Sequence, residues 1–137
     1  MTDMNGKVCL VAGATDGIGK VSARVLAEKG AKVIIVGRNP EKSATVLAEL
    51  KSSSGNENID LLMADLAVRQ EVRDLAEQVI SHYDRLDILL NNAGGYFAKH
   101  ELTSDGLERT FALNHMSYFL LTNKLMELLK SSAPARI

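Results

Sequence analysis

The chain holds a single cysteine, Cys9. No intrachain disulfide is available to it, and a reducing cytosol fits. It has no excess of either charge, with a net value of −1 at pH 7 and a pI near 6.3. A protein that grips a polyanion carries a basic footprint that is missing here, so no nucleic-acid partner is expected. No apolar run is long enough to span a bilayer, and the first seven residues carry no basic-plus-apolar leader pattern. These absences predict a cytoplasmic protein with no membrane partner. The three histidines, His82, His100 and His115, have no ligand-like spacing, and no metal is expected.

What is present is an ordinary globular composition, 46% apolar and 24% charged over 137 residues. That length predicts one domain over 1–137 with a real hydrophobic core. Short apolar runs at 7–12, 32–36, 59–63 and 86–90 alternate with helical patterns. Strands rich in Val, Ile and Leu separated by helices imply βαβ units, hence an α/β fold of the Rossmann type with a doubly wound parallel sheet.

The intervening helices have readable ends. The first, about 17–29, carries Ile18, Val21 and Val25 on one stripe and stops at Gly30. The second starts at Asn39-Pro40, turns Ala44, Leu47 and Ala48 inward and gives way to a serine loop at 52–54 before Gly55. The third, about 67–82, buries Val68, Val72, Leu75, Val79 and Ile80. The fourth is expected to open at Asp105, with Glu108 three residues on, and to run to about Lys130. Its apolar residues, from Phe111 to Leu129, do not fit one stripe and predict burial by more than one neighbour.

The most informative segment is Val11-Ala12-Gly13-Ala14-Thr15-Asp16-Gly17-Ile18-Gly19-Lys20. A strand entering a glycine-spaced turn that opens a helix seats a dinucleotide pyrophosphate, because glycines let the backbone approach the phosphates and helix N-terminal amides face the anion. The spacing is not that of a P-loop: Ala14 stands where a glycine is required, and Val21 replaces the hydroxyl that would hold magnesium. At the end of the second strand the chain reads Gly37-Arg38-Asn39. A carboxylate there would bind a ribose 2′-hydroxyl, whereas Arg38 offers a planar cationic fork suited to a 2′-phosphate. NADP is therefore expected over NAD, with the negative Asp16 working against the preference. The run Asn91-Asn92-Ala93-Gly94 leaves a buried strand at the rim where such sheets hold ligands. Asn114 is an amide inside an apolar helix. It is either satisfied by nearby backbone or kept for chemistry.

The glycine motif together with Asn91–Gly94 resembles the short-chain dehydrogenase/reductase family, with Ala12 in place of the family's usual threonine. The resemblance covers essentially the whole chain and implies a strand order of 3-2-1-4 lacking the family's C-terminal strands. It implies that Gly13, Thr15, Asp16, Gly17, Ile18 and Gly19 surround the pyrophosphate, with Arg38 and Asn39 at the adenosine ribose. Asp65 and Leu66 would meet the adenine, and Asn92, Ala93 and Gly94 would line the cofactor cleft. Asn114 would hold a water in the catalytic proton relay. The substrate would be a small carbonyl or alcohol, and the Phe111–His115 segment, similar to retinol-dehydrogenase-like relatives, implies a lipophilic one.

The family's reaction also needs a tyrosine with a lysine four residues on, since tyrosine titrates near 10 unaided. Here Tyr83 is followed by Asp87, Tyr96 by His100 and Tyr118 by Thr122. None fits. Residues 135–137 read like the start of a fifth strand, so the chain is expected to be a truncated piece of a longer reductase, inactive alone. The other reading is a nucleotide-binding or interaction module without chemistry. A missing fifth strand would leave 86–90 as a raw edge, which predicts self-association or a homo-oligomer.

Overall fold

The computed structural model describes residues 3–137; Met1 and Thr2, which belong to the segment read for a leader, lie outside the described residues. Four parallel strands, β1 (Val8–Ala12), β2 (Lys32–Gly37), β3 (Ile59–Met63) and β4 (Ile88–Asn91), form one sheet in the order β3-β2-β1-β4. In register, Leu10 lies between Ile34 and Leu89, and Ala12 between Val36 and Asn91.

Alternation along the strands divides the core. Leu10, Ala12, Ile34 and Val36 face α3 (Arg69–His82) and α5 (Ser117–Ser131). Cys9, Val11, Val33 and Ile35 face α1 (Gly17–Glu28) and α2 (Pro40–Ser54). A sheet buried on both faces needs apolar residues at every strand position, which is why the strands read as continuous apolar runs. The sheet is doubly wound, as expected.

Several local expectations are corrected. In α1 the buried face is Gly19, Ala23 and Ala27, while Ile18 and Val21 are 78% and 53% exposed. In α2, Ser43, Val46 and Leu50 are buried and Ala44 and Ala48 are exposed. Small residues on these inner faces let the helices lie close to the sheet, so the most apolar stripe is not the packed one. The serine run 52–54 stays helical, since Ser54 Oγ donates to the Leu50 carbonyl and Gly55 closes the helix at φ +67°. In α3, Ile80 is half exposed rather than buried.

Asp105 does not open a helix. Its carboxylate accepts from the Arg69 N–H at 2.8 Å and so serves the first turn of α3. Glu108 caps the next helix instead, accepting from the Thr110 and Phe111 N–H groups, each at 2.9 Å. That helix begins as α4 (Arg109–Phe111), widens into a π-helical turn over Ala112–Met116 and continues as α5. Leu121, Leu125 and Leu129 are buried one turn apart, whereas Phe111 and Phe119 stay exposed. Nor is the outer flank of β4 bare: Ile88 bridges Arg136 in parallel, with the Leu89 N–H donating to the Arg136 carbonyl at 3.0 Å. Residues 135–137 thus begin to pair where the raw edge was expected.

Candidate functional site

The C-terminal ends of all four strands open into a cleft of about 560 Å³. Gly13, Thr15, Asp16, Gly17 and Ile18 come from the turn after β1, and Gly37 and Arg38 from the end of β2. Ala64, Asp65 and Leu66 follow β3, and Asn92, Ala93 and Gly94 follow β4. Eleven of the fourteen residues named from sequence thus meet in one concavity, against its walls Val36, Phe97 and Leu113. Gly19, Asn39 and Asn114 do not line it.

Backbone proximity explains the glycines. Gly13 has φ +73°, and a Cβ there would stand 2.6 Å from the Ala93 Cα, so no other residue fits against β4. A Cβ on Gly19 would strike the Gly13 carbonyl oxygen. Gly19 is therefore a packing residue behind the turn. Asn92 ties the same turn to β4, its Nδ2 donating to the Gly13 carbonyl at 3.1 Å. Gly17 and Ile18 start α1 at the cleft, where a helix leaves amides without intrahelical acceptors. The Asp16 carboxylate takes one of them, the Gly17 N–H, at 2.8 Å.

The charged groups sit at one end. Arg38 Nη1 is 3.8 Å from Asp65 Oδ2, while Asp65 Oδ1 accepts from the Ala67 N–H at 2.9 Å. Lys42 Nζ is 2.7 Å from Asp16 Oδ2. That lysine, then the Gly17 N–H, holds the Asp16 carboxyl below the usual carboxylate range. Asn39 Oδ1 accepts from the Lys42 N–H at 2.9 Å and is spent as the cap of α2.

A polar ladder fixes the opposite wall. Asn114 Nδ2 donates to the Gly95 carbonyl and its Oδ1 accepts from the Gly95 N–H, both at 2.9 Å. Tyr118 Oη donates to the Ala93 carbonyl at 2.8 Å, and Asn91 Nδ2 donates to Thr122 Oγ1 at 3.0 Å. Residues 114, 118 and 122 recur every four along the helix and 91, 93 and 95 every two along an extended chain, so the two periods meet face to face. Asn114 is exposed, not buried, and sits in the π-helical turn, a feature frequent at functional sites. Sequence reasoning missed Tyr118, Thr122 and Lys42; the four-residue spacing from Asn114 was the available signal for the first two. Among the described residues no three His, Cys, Asp or Glu side chains gather as metal ligands, and no helix is long and apolar enough to cross a membrane.

A glycine-lined cleft at the carboxyl rim of a 3-2-1-4 sheet is the arrangement of dinucleotide-binding α/β folds. A sequence profile described as short chain dehydrogenase matches residues 7–137. The chain belongs to this family. Retinol dehydrogenase 13 of Homo sapiens is 40% identical over 132 residues, covering 96% of this chain and 40% of the relative. Retinol dehydrogenase 12 of Mus musculus is likewise 40% identical over 132 residues, with 96% and 42% covered. The chain therefore spans about two-fifths of the length of these relatives. Among solved structures, the Pseudomonas aeruginosa RhlG/NADP active-site complex superposes with TM-score 0.81 at 34% identity, over 96% of this chain and 51% of that one. A metagenomic short-chain oxidoreductase in complex with NADP gives TM-score 0.81 at 29% identity, over 95% and 59%.

Proposed function

We propose that this short-chain dehydrogenase chain seats NADP(H) in preference to NAD(H) and forms the cofactor-binding half of an oxidoreductase acting on a carbonyl or alcohol. The observation that carries the reading is the cleft itself. Its floor is glycine backbone packed so closely on Ala93 that a Cβ on Gly13 would stand 2.6 Å from the Ala93 Cα, and Arg38 is part of its lining. Its volume of about 560 Å³ lies within the range of small-molecule and cofactor sites.

Gly13, Thr15, Gly17 and Ile18 take the pyrophosphate at the N-terminus of α1, with Gly19 keeping the turn in place. Asp65 and Leu66 take the adenine, and Arg38 exchanges its long contact with Asp65 for the 2′-phosphate. Asn92, Ala93 and Gly94 form the wall on the nicotinamide side. Asn114, pinned beside that wall by Gly95, is the residue assigned to the proton relay. When bound, the nicotinamide supplies or accepts a hydride. The proton that accompanies it needs a tyrosine with a depressed pKa, and burial moves Tyr118 the other way. No tyrosine among the 137 residues has a lysine four residues on, and the chain is taken to bind nucleotide without turning substrate over. The names of the retinol dehydrogenases support a lipophilic substrate. Exposed Phe111 and Phe119 support self-association, read by light scattering.

The test is a fluorescence titration of the purified chain with NADPH and with NADH. Saturable NADPH binding at least about tenfold tighter than NADH is expected, from a charge-assisted contact at the 2′-phosphate. Equal affinities overturn the NADP preference, and no binding of either overturns the reading. Measurable NADPH-dependent reduction of a lipophilic aldehyde by the same chain contradicts the division of labour.

A further inference from the structure

We propose that Tyr118 is a positioning residue for the nicotinamide end of the nucleotide, fixing the wall at Ala93 and Gly94 through its hydroxyl without touching the ligand. This inference rests on the reading that the cleft seats a nicotinamide nucleotide, and it is independent of the choice between NADP and NAD. The pairing of β4 with β1 ends at Asn91, opposite Ala12. The chain nevertheless runs on as cleft wall through Asn92, Ala93 and Gly94. Past the end of a strand, backbone polar groups need other partners, and Ala93 is buried, with 8% exposure. Its carbonyl finds a partner in the Tyr118 hydroxyl, which donates at 2.8 Å. Among the described residues no other donor reaches that carbonyl.

The wall is thus held from the helix rather than from the sheet. Asn114 takes both backbone groups of Gly95, and Tyr118 takes the carbonyl of Ala93. Gly94, which lines the cleft, is suspended between these two pins. Tyr118 itself does not line the cleft, so its influence passes through Ala93. Burial pushes the Tyr118 phenol up, so the hydroxyl keeps its proton and donates throughout the neutral range. The glycine turn has an anchor of its own, since the Gly13 carbonyl accepts from Asn92 Nδ2. Loss of the hydroxyl therefore falls on Ala93 and Gly94 and spares the phosphate turn. A buried carbonyl without a donor is costly, and relief comes by rotating it toward water. The wall then samples several positions, and ordering it again on binding lowers affinity at the nicotinamide end.

The test titrates NADPH, NADH and adenosine 2′,5′-bisphosphate, which is the adenosine end alone, into the full chain and its Tyr118→Phe and Tyr83→Phe variants. Each change deletes one hydroxyl and keeps the ring, so folding is retained, and urea midpoints verify it. Tyr83 is the matched control: its Oη donates to Asp60 Oδ2 at 2.6 Å, and neither residue lines the cleft. Tyr118→Phe is expected to weaken NADPH and NADH alike, roughly three- to tenfold, the worth of one hydrogen bond. The bisphosphate should stay within about twofold of wild type. Tyr83→Phe lowers the urea midpoint and leaves all three affinities unchanged. Should Tyr118→Phe bind both dinucleotides as wild type does, the inference is wrong and the nucleotide reading stands. If the bisphosphate weakens as much as NADPH, or Tyr83→Phe weakens NADPH equally, the hydroxyl serves the fold at large and the positioning role is lost. Should wild type bind neither dinucleotide, the underlying reading fails first.

Discussion

At the N-terminal ends of the strands Asp87 is only 3% exposed and takes Arg85, Lys7 and the Val8 N–H, all within 2.9 Å. At the C-terminal ends Asp16 is 83% exposed and Asp65 meets Arg38 only at 3.8 Å. Both ends of the sheet hold carboxylates and cations, yet they use them differently. Burial alone would raise the pKa of Asp87, but the Arg85 side chain, the Val8 N–H and Lys7 outweigh it and hold it well below the usual range. Asp60 behaves alike: burial pushes its pKa up, while Lys32 and the Tyr83 hydroxyl at 2.6 Å pull it down further. One end is a set of saturated partners that clamps the strands. The other keeps long or exposed pairs and glycine backbone, which a ligand can displace or approach. One rim is held by a buried, multiply paired carboxylate beside a second cavity of about 400 Å³ lined by Lys7, Asp87 and Arg136, and the other carries the glycine-lined cleft with its exposed pairs.

The contrast is broken most severely at Gly19. Gly19→Ala places a methyl against the Gly13 carbonyl, and relief must come from the turn itself. The expected cost is about 3 kcal/mol in urea unfolding, with NADPH affinity lost together with stability. A variant that keeps full affinity would show that the turn is not the floor of the site.

A smaller effect is expected at the Asp87 rim. Asp87→Asn removes the charge shared by Arg85 and Lys7 and is expected to cost about 2 kcal/mol at neutral pH, with NADPH affinity unchanged in the folded protein. The pH dependence has a definite sign. The folded pKa of Asp87 lies below its unfolded value, so its contribution is complete above the ordinary aspartate range and is lost as pH falls below about 4. Urea midpoints measured from pH 7 down to 3 should fall less steeply in Asp87→Asn than in wild type. Parallel slopes would remove Asp87 from the acid sensitivity.

The open rim was far more legible in sequence than the helices that flank it. Gly13 and Gly17 announce themselves because their positive φ, and at Gly13 the close approach of Ala93, admit few residue types, and Asn92 is the amide that ties that turn down. Arg38 was visible by its place at a strand end. Helix phase was not. Ile18 and Val21 form the more apolar stripe of α1, but Gly19, Ala23 and Ala27 are small enough to approach the sheet and win the packed face. Asp105 misled for a different reason, since its carboxylate caps α3 from 36 residues away and no local pattern records such a contact. Lys42 was missed because a lysine in the first turn of a helix looks like any solvated charge until Asp16 is seen beside it.

Backbone amide resonances of the 14.9 kDa chain, followed while NADPH is added, compare the two rims in one experiment. Shifts concentrated at residues 13–19, 36–38, 64–66 and 92–95, with Lys7, Val8, Arg85 and Asp87 unmoved, are the predicted result. Shifts gathered at the Asp87 end, or none at the glycine turn under saturating nucleotide, would contradict the account.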